Sequence, residues 1–584
     1  MVSETAVTRD REWARVVNLE AMLYITAAML AVALRFYGLG DATLAKEEAS
    51  RALSSWQLLQ GQQPVTWDEP VTIVATALYF LVAGDSDYTA RLVPALGGVA
   101  LVVSCWLLRG YIGRWGALAS AFLLALSPTA LYFSRHLSGD IWSVALAALT
   151  IWALLRYIEE RESKYLWIGA VSIPLLFHLG AQGITVLMAL IAYLAVTSLL
   201  SGWLDMGSIL AGKPIEKDKL VLAGYIVMGG AVLIGTGFLL HPQGLGPSGL
   251  RAWITQFDVS TQGHPSMIPW LKLTLYEPLA LTLGLVAVGY FTLPWLKAIL
   301  RGEVFVALRH NRFHIFLVIW LVMGAILLML AGERSLPPLA AVVIPLTLLA
   351  GSFVGESLEC LDGLSFGHIA GQAAPVVVLL GGSLLVFGKI VSGAQEVSPP
   401  VVLILLAFLG LLVVALTLPS LGVLQLSWSR AFLPLLILGL LFNVHSSWSL
   451  NYISGQGEWY SAKSAPRMAV ESVVESASAA PRFLVSDDNK KVYLGPATEY
   501  PFRWYLRKGP AFSPLEQGAD TIIKEGPLVN DTATPGYSRY EIAYQGEWNP
   551  ATFKARSLWR WFLYREPYGP APQSDKVVVL NKEL

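Results

Sequence analysis

The 584-residue chain is 55% hydrophobic and only 14% charged, whereas roughly a quarter of the residues in a soluble globular protein are charged. Its apolar residues form repeated runs of about twenty, the length that a helix needs to cross a bilayer. We therefore predict a polytopic membrane protein. Basic and acidic residues both total 41, so the net charge is zero and gives no information about charged partners. We predict no nucleic-acid partner for this membrane protein.

Hydropathy predicts about thirteen transmembrane helices. They cover residues 17–36, 91–109, 116–133, 141–158, 165–181, 183–200, 219–240, 274–296, 313–331, 338–357, 370–390, 399–418 and 430–447. The first run is too long for a typical signal peptide and lacks a small-residue cleavage site, so we interpret it as an uncleaved span. The two cysteines, Cys105 and Cys360, exclude a disulfide framework and a Cys-based metal site.

The distribution of basic residues predicts the topology of these spans. With the N-terminus in the cytoplasm, the cytoplasmic loops hold Arg109 and Arg114, then Arg156, Arg161 and Lys164, then Lys213, Lys217 and Lys219, and then Lys297, Arg301, Arg309 and Arg312. The loops on the other side contain fewer Lys and Arg residues, as the positive-inside rule requires. We therefore expect a multi-pass protein of the cell membrane with an extracytoplasmic C-terminus.

The first extracytoplasmic loop contains two further helical patterns. Residues 47–60 place Ala49, Leu53, Trp56 and Leu59 near one face of a helix. Residues 71–84 are apolar but too short for a typical span, and counting them as a crossing would put every later basic loop outside. Both are therefore predicted to lie along the outer interface of the membrane.

The composition changes near residue 448. Ser/Ala-rich and mixed sequence follows, with short β-like runs in "RFLVS", "RYEIAYQG" and "KVVVL" and helix-like segments between them. About 135 residues suffice for one small domain. We predict a membrane domain over 1–447 and an extracytoplasmic α/β domain over 448–584.

Polar residues recur at the predicted outer ends of the spans. They include Glu47 and Glu48, the Trp67-Asp68-Glu69 turn, Arg135, His136 and Asp140, His178 and Gln182, and Glu333 and Arg334. An arginine can bind phosphate bidentately, and a carboxylate can act as a base or hold a divalent ion. Each group also has a purely structural interpretation: a solvated loop carboxylate, a charge favoured at a helix start, or, for Asp140, a helix cap.

The order of several motifs resembles a known superfamily. A span ending "RFYGLG" is followed by "KEEA" at a helix start, then by "GDSDYTARLVPALGG", "YFSRHLSGDIW" and "GERSLPPLAAVVIPLTLLAG". In the tail, "YPFRWYLRKG" and "WRWFLYREPYGP" continue the pattern. The chain resembles the GT-C glycosyltransferases of the protein O-mannosyltransferase and aminoarabinose transferase superfamily, and within it the flippase-activity-associated branch.

The resemblance implies an all-α GT-C membrane domain and transfer of a sugar, with inversion, from a polyprenyl-phosphate donor to a lipid or protein acceptor. It implies that Glu47 is the base or a ligand of a divalent metal ion (Mg²⁺ or Mn²⁺), with Glu48 positioning it. Arg135 and Arg334 would bind the donor phosphate, oriented by Asp140 and Glu333. As both glutamates are predicted to be solvated, we expect the fold to tolerate replacement of either.

The motifs also differ from the family pattern. Glu47 replaces an aspartate, Lys46 replaces a histidine, and "EPVTIVATAL" stands where the family has a His-Gly-Pro stretch. Arg334 replaces a lysine. These changes leave open a second function, that of a non-catalytic accessory protein of lipid-linked sugar export. A transporter is less favoured, because the predicted spans show no charged residue deep inside and no evident repeat.

Overall fold

The computed structural model describes residues 2–201, 217–239, 241, 248–301, 312–332, 335–359, 381–382, 428–452, 467–478, 491–496, 498–509, 511–526, 537–546, 561–562 and 574–582. The helices of the membrane domain are α1 (Val2–Phe36), α2 (Lys46–Leu59), α3 (Pro70–Ala83), α4 (Asp87–Ala90), α5 (Leu92–Ser104), α6 (Arg109–Ile112), α7 (Arg114–Leu126), α8 (Pro128–Arg135), α9 (Asp140–Glu160), α10 (Ser163–Leu179), α11 (Ala181–Ser201), α12 (Lys217–Gly235), α13 (Ser248–Ile254), α14 (Val259–Gln262), α15 (Ile268–Tyr276), α16 (Pro278–Leu300), α17 (Arg312–Leu330), α18 (Pro337–Glu359) and α19 (Trp428–Tyr452).

Seven helical segments in the described part of the chain are long and apolar enough to cross a membrane, or eight if the bent pair α7 and α8 forms one span. The helices α10, α11 and α19 also coincide with predicted spans. The predicted spans 370–390 and 399–418 lie almost wholly outside the described residues, so the count of thirteen stays a prediction. The polytopic helical fold itself is confirmed.

The centre of the bundle is α18, which is almost completely buried. It packs closely against α7 because both helices carry small residues at the crossing. A Cβ on Gly355 would lie 2.1 Å from the backbone nitrogen of Gly116, and a Cβ on Gly351 would lie 2.1 Å from Ser120 Oγ. Small residues allow such close approach of helices where a larger side chain would separate them.

The bend of 61° between α7 and α8 occurs at Ser127 and Pro128. Pro128 is favoured at the first position of a helix but cannot continue the preceding one. The buried Glu277 carboxylate accepts hydrogen bonds from the Ser127 hydroxyl at 2.6 Å and from the Thr129 N–H at 2.8 Å. The first N–H groups of a helix have no partner within the helix, so the bond to Thr129 lets Glu277 fix the start of α8.

The two ends of the bundle differ in their charged groups. At one end, Arg109 and Arg114 pair with Glu20, and Lys219 donates to Ser163. At the opposite end lie the starts of α2, α3 and α9 and the described contact of residues 499–505 with α2. We call this second end the site end. Both predicted loop helices, 47–60 and 71–84, occur there as α2 and α3.

The C-terminal domain is an α/β domain, as predicted. Its described elements are the helices α20 (Arg467–Ser478) and α21 (Glu499–Tyr505) and the strands β1 (Lys491–Leu494), β2 (Ala511–Ser513), β3 (Thr521–Gly526), β4 (Tyr537–Gly546) and β5 (Ser574–Lys582). The sheet order is β2-β1-β3-β5-β4, with β1 parallel to β2 and β3, and β5 antiparallel to β3 and β4. The predicted runs "RYEIAYQG" and "KVVVL" form β4 and β5, whereas "RFLVS" lies outside the described residues.

Candidate functional site

The adjacent glutamates at the start of α2 have opposite environments. Glu48 is 1% exposed, and its two carboxylate oxygens accept hydrogen bonds from Arg91 Nε at 2.9 Å and Nη2 at 2.7 Å. Glu47 is exposed. Consecutive residues point about 100° apart on a helix, so one carboxylate faces the core and its neighbour faces outward.

Glu48 also joins two segments of backbone, the one before α2 and the one before α9. Its carboxylate accepts the N–H of Ala45 at 2.9 Å and the N–H of Leu137 at 2.8 Å. Burial alone would favour the neutral acid, but the charge and hydrogen bonds of Arg91 and the N–H of Ala45 outweigh it and hold the Glu48 pKa at about 2. Glu48 is therefore ionised and fixed in place, which contradicts the expectation that it is solvated.

Arg91 uses its remaining donors on the loop before α2. It donates to the carbonyl oxygens of Leu39 at 3.2 Å, Ala42 at 2.7 Å and Thr43 at 2.9 Å. A planar guanidinium with several fixed donors suits this role better than a lysine would. The loop that leads to Glu47 is therefore held from its inner side by one buried cation.

A second ion pair lies one turn further along α2. Arg51 donates to Glu69 Oε1 at 2.9 Å and to the carbonyl of Leu137 at 2.9 Å. Glu69, 2% exposed, also accepts the N–H of Gly139 at 2.7 Å. Residues four apart share a helix face, so Arg51 lies on the same face of α2 as the exposed Glu47.

Asp140, the first residue of α9, lies close to the Arg51–Glu69 ion pair. Its Oδ1 accepts the N–H of Gln182 at 3.2 Å. A Cβ on Gly180 would lie 3.1 Å from Asp140 Oδ1 and 3.4 Å from Glu69 Oε1. Gly180 has φ +152°, so a side chain there would be strained as well as crowded. We refer to Glu48, Arg91, Arg51, Glu69 and Asp140 together as the buried ion-pair frame.

The protonation of this frame follows from burial and from nearby charges. Burial raises the pKa of Glu69 to about 7, Arg51 opposes that rise, and the negative charge of Asp140 adds to it. Burial lowers the pKa of His136, although Glu48 lies 3.5 Å from its Nδ1 and opposes the shift. At neutral pH, His136 is therefore a neutral side chain, and Glu69 is near the midpoint of its titration.

The structure places Arg135 at the C-terminus of α1. Its guanidinium donates to the carbonyl oxygens of Leu34, Arg35, Tyr37 and Gly38, and stacks on the Tyr452 ring with 4.5 Å to the ring centroid. These contacts cap α1. In the described part of the chain Asp140 makes no hydrogen bond with Arg135, and its cationic neighbour is Arg51. The phosphate role of Arg135 stays a prediction.

Glu333 and Arg334 lie outside the described residues, and their phosphate role also stays a prediction. The residues on either side of them are at the site end. Gly332 donates its N–H to the carbonyl of Gln256 at 3.2 Å. On the other side, the carbonyl of Pro337 accepts a hydrogen bond from the side chain of Gln182, whose backbone binds Asp140.

The described residues around Gly180 are occupied by protein partners, and a divalent metal ion at Glu47 stays a prediction. Within the described ranges, no group of three or more His, Cys, Asp or Glu side chains converges. The two carboxylates that approach each other at Gly180 already accept hydrogen bonds from Arg51, Gly139 and Gln182. The arginine beside them supplies the positive charge that a cation would otherwise provide.

Sequence reasoning named Glu69 but assigned it no role, and it missed Arg51 and Arg91. Arg51 stands four residues after Glu47, a spacing that indicates a shared helix face. Arg91 stands directly before the apolar run of α5, where a charge is costly unless it is paired. The spacing and the position before an apolar run could have identified Arg51 and Arg91. Neither signal identifies the carboxylate with which each arginine pairs.

Comparisons with known proteins agree with this architecture. Residues 63–211 match the family model described as dolichyl-phosphate-mannose-protein mannosyltransferase. This match includes Glu69, Arg91 and Asp140 but begins after Glu47. No curated protein matches the sequence.

Several solved structures align with this chain, and the ArnT alignment, with a TM-score above 0.5, shows the same fold. ArnT from Cupriavidus metallidurans bound to undecaprenyl phosphate aligns with TM-score 0.51 and 15% identity, over 84% of this chain and 85% of ArnT. The apo oligosaccharyltransferase of Archaeoglobus fulgidus aligns with TM-score 0.49 and 12% identity, over 87% and 69% of the two chains. Its complex with Zn and sulfate gives TM-score 0.46 and 12% identity, over 84% and 62%. The predicted GT-C fold is confirmed.

Proposed function

We propose that this GT-C membrane protein transfers a sugar from a polyprenyl-phosphate donor to a lipid or protein acceptor, with Glu47 as the general base. The observation that carries the proposal is the contrast at the start of α2, where an exposed carboxylate stands beside a buried one that is fixed by Arg91. A catalytic base must reach a substrate and must also be held in position. Glu47 meets the first requirement, and the buried ion-pair frame meets the second.

The proposed reaction is a single displacement. Glu47 accepts the proton of the acceptor nucleophile as that atom forms a bond to the anomeric carbon of the sugar. The bond between the anomeric carbon and the phosphate oxygen breaks, and its electron pair leaves on the polyprenyl phosphate. Attack from the face opposite the phosphate inverts the anomeric carbon.

The leaving phosphate needs positive charge, and Arg51 at the site end is one candidate to supply it, beside Arg135 and Arg334 from the sequence. Arg51 has 18% of its side chain exposed and lies on the Glu47 face of α2. Arg–phosphate hydrogen bonds are charge-assisted and frequently bidentate. The ArnT structure contains undecaprenyl phosphate, which supports a polyprenyl-linked donor for this chain.

We further propose that the site end faces out of the cytoplasm. The cluster of Arg109, Arg114 and Lys219 lies at the opposite end of the bundle, and basic residues concentrate on the cytoplasmic side. A reporter that is active only in the cytoplasm, fused after Leu584, should be silent. A strong reporter signal would refute this orientation.

The direct test is transfer from labelled polyprenyl-phosphate sugars by the purified protein in detergent or nanodiscs. We expect a labelled acceptor together with free polyprenyl phosphate. Binding of the donor without turnover, across several sugars and acceptors, would instead support the accessory function.

A further inference from the structure

The C-terminal domain contacts the loop before α2, residues 37–45, which leads to Glu47 and which we call the Glu47 loop. The helix α21 packs against α2, and the Tyr505 hydroxyl accepts a hydrogen bond from the Leu44 N–H at 2.9 Å. Leu44 stands three residues before Glu47 and is completely buried. The chain separation between the two bonded residues is 461, so this contact joins the last domain to the first loop.

Asp87 fixes the orientation of α21. Its two carboxylate oxygens accept hydrogen bonds from Trp504 Nε1 at 2.9 Å and from the Tyr505 hydroxyl at 2.8 Å. Burial raises the pKa of the Tyr505 phenol, and the charge of Asp87 adds to this rise. The hydroxyl therefore stays protonated, donating to Asp87 while it accepts from Leu44.

Arg507 and Asp85 form a second contact beside the first. Arg507 Nε and Nη2 donate to Asp85 Oδ2 at 3.0 and 2.8 Å, and the guanidinium lies 3.5 Å from the centroid of the Trp504 ring. Trp504 is completely buried and stacks on Phe80 of α3, with 5.7 Å between ring centroids. This geometry combines an ion pair, a cation–π contact and a ring contact over a small area.

We infer that Asp85, Asp87, Trp504, Tyr505 and Arg507 form an interdomain latch that positions the Glu47 loop for sugar transfer, with Tyr505 as its positioning residue. The loop is held on both sides: Arg91 binds its carbonyl oxygens from within, and Tyr505 binds its Leu44 amide from the C-terminal domain. A base displaced by about 1 Å loses much of its effect, so the second contact has a catalytic consequence. This inference rests on the proposed function of Glu47.

The principal test uses Tyr505→Phe, which keeps the ring and removes only the hydroxyl. The matched control is Tyr493→Phe, because Tyr493 is a partly buried tyrosine of β1 in the same domain. Hydrogen exchange is measured at the Leu44 amide in the full-length protein. We expect exchange at Leu44 to accelerate roughly 2- to 12-fold in Tyr505→Phe, the range given by the loss of one hydrogen bond, and to stay unchanged in the control.

Measurement of sugar transfer distinguishes a residue that positions the base from one that only supports the fold. We expect kcat to fall about 3- to 10-fold in Tyr505→Phe with the donor KM unchanged, since the variant misplaces the base but leaves donor contacts intact. Asp87→Asn, which keeps one acceptor oxygen, should accelerate Leu44 exchange and lower kcat by amounts between those of the wild type and Tyr505→Phe. Unchanged Leu44 exchange, or faster exchange with unaltered kcat, would overturn the latch. If the wild type transfers no sugar, the proposed function fails, while the exchange measurement still decides whether the contact holds the loop.

Discussion

Replacement of the two adjacent glutamates one at a time tests the assignment of the base. Glu47→Gln retains the shape of an exposed side chain and removes its charge. We expect the transfer rate to fall by roughly two to four orders of magnitude, the scale of a general base. Its unfolding free energy should change by no more than about 0.5 kcal/mol, because a surface substitution away from fixed contacts has little effect.

Glu48→Gln should behave in the opposite way. In the Glu48–Arg91 pair the side chains are 2% and 6% exposed, and their closest charged atoms lie 2.7 Å apart. Removing one partner of a buried pair leaves the other uncompensated and costs about 3–5 kcal/mol. The sequence-based expectation that the fold tolerates this change is therefore revised, and we expect a clearly lower midpoint of thermal unfolding.

The two variants are compared by thermal unfolding in detergent and by sugar transfer at a temperature where both remain folded. Glu475→Gln, on the exposed side of α20, controls for the loss of one surface charge. A Glu47→Gln protein that transfers sugar at the wild-type rate would refute the assignment. A Glu48→Gln protein as stable as wild type would refute the structural role of the Arg91 pair.

Two further predictions concern Glu69 and the neighbouring Gly180. The pKa of Glu69 is raised to about 7 from an ordinary value of 4.5, so the stability that Glu69 contributes is complete below about pH 4.5 and is lost as the pH rises through 7. Relative to the Glu69→Gln variant, the wild type should therefore lose roughly 3 kcal/mol of unfolding free energy from pH 4 to pH 8. Parallel pH profiles of unfolding free energy in the two proteins would contradict this prediction. Gly180→Ala should destabilise the protein by about 1–3 kcal/mol through backbone strain alone. The unfolding midpoint is compared with that of the control Gly169→Ala, where a Cβ meets no neighbouring atom. Equal midpoints in the two variants would contradict the strained and crowded position of Gly180.

Local sequence patterns are sufficient to predict α2 and α3 at the site end, but they do not predict the short helices between residues 248 and 262. The run 47–60 was predicted as a helix with one apolar face, and α2 indeed covers Lys46–Leu59 with Ala49 and Leu53 buried. The pattern was less accurate at the end of the helix, where Leu59 is 37% exposed. Periodicity identifies a face because it depends only on neighbours in the chain.

Partners distant in the chain could not be predicted in the same way. Glu48 and Arg91 are 43 residues apart, and nothing in either local pattern specifies the other. The same holds for Leu44 and Tyr505. Glu47 and Glu48 therefore look equivalent in the sequence as two charges at a helix start, and only the tertiary position of Arg91 distinguishes the buried carboxylate from the exposed one.

On the proposed function, the hydrogen-bond partners of the arginines favour Arg51 as a partner of the donor phosphate. Arg91 is saturated by Glu48 and three carbonyl oxygens, and Arg135 already contacts four carbonyl oxygens. Arg51 differs because one of its two partners, Glu69, titrates near neutral pH. Protonation of Glu69 removes a negative charge that competes with the donor phosphate for Arg51, since an unneutralised carboxylate repels an anion at short range. If Arg51 binds the donor phosphate as proposed, ionisation of Glu69 would both lower stability and weaken that binding.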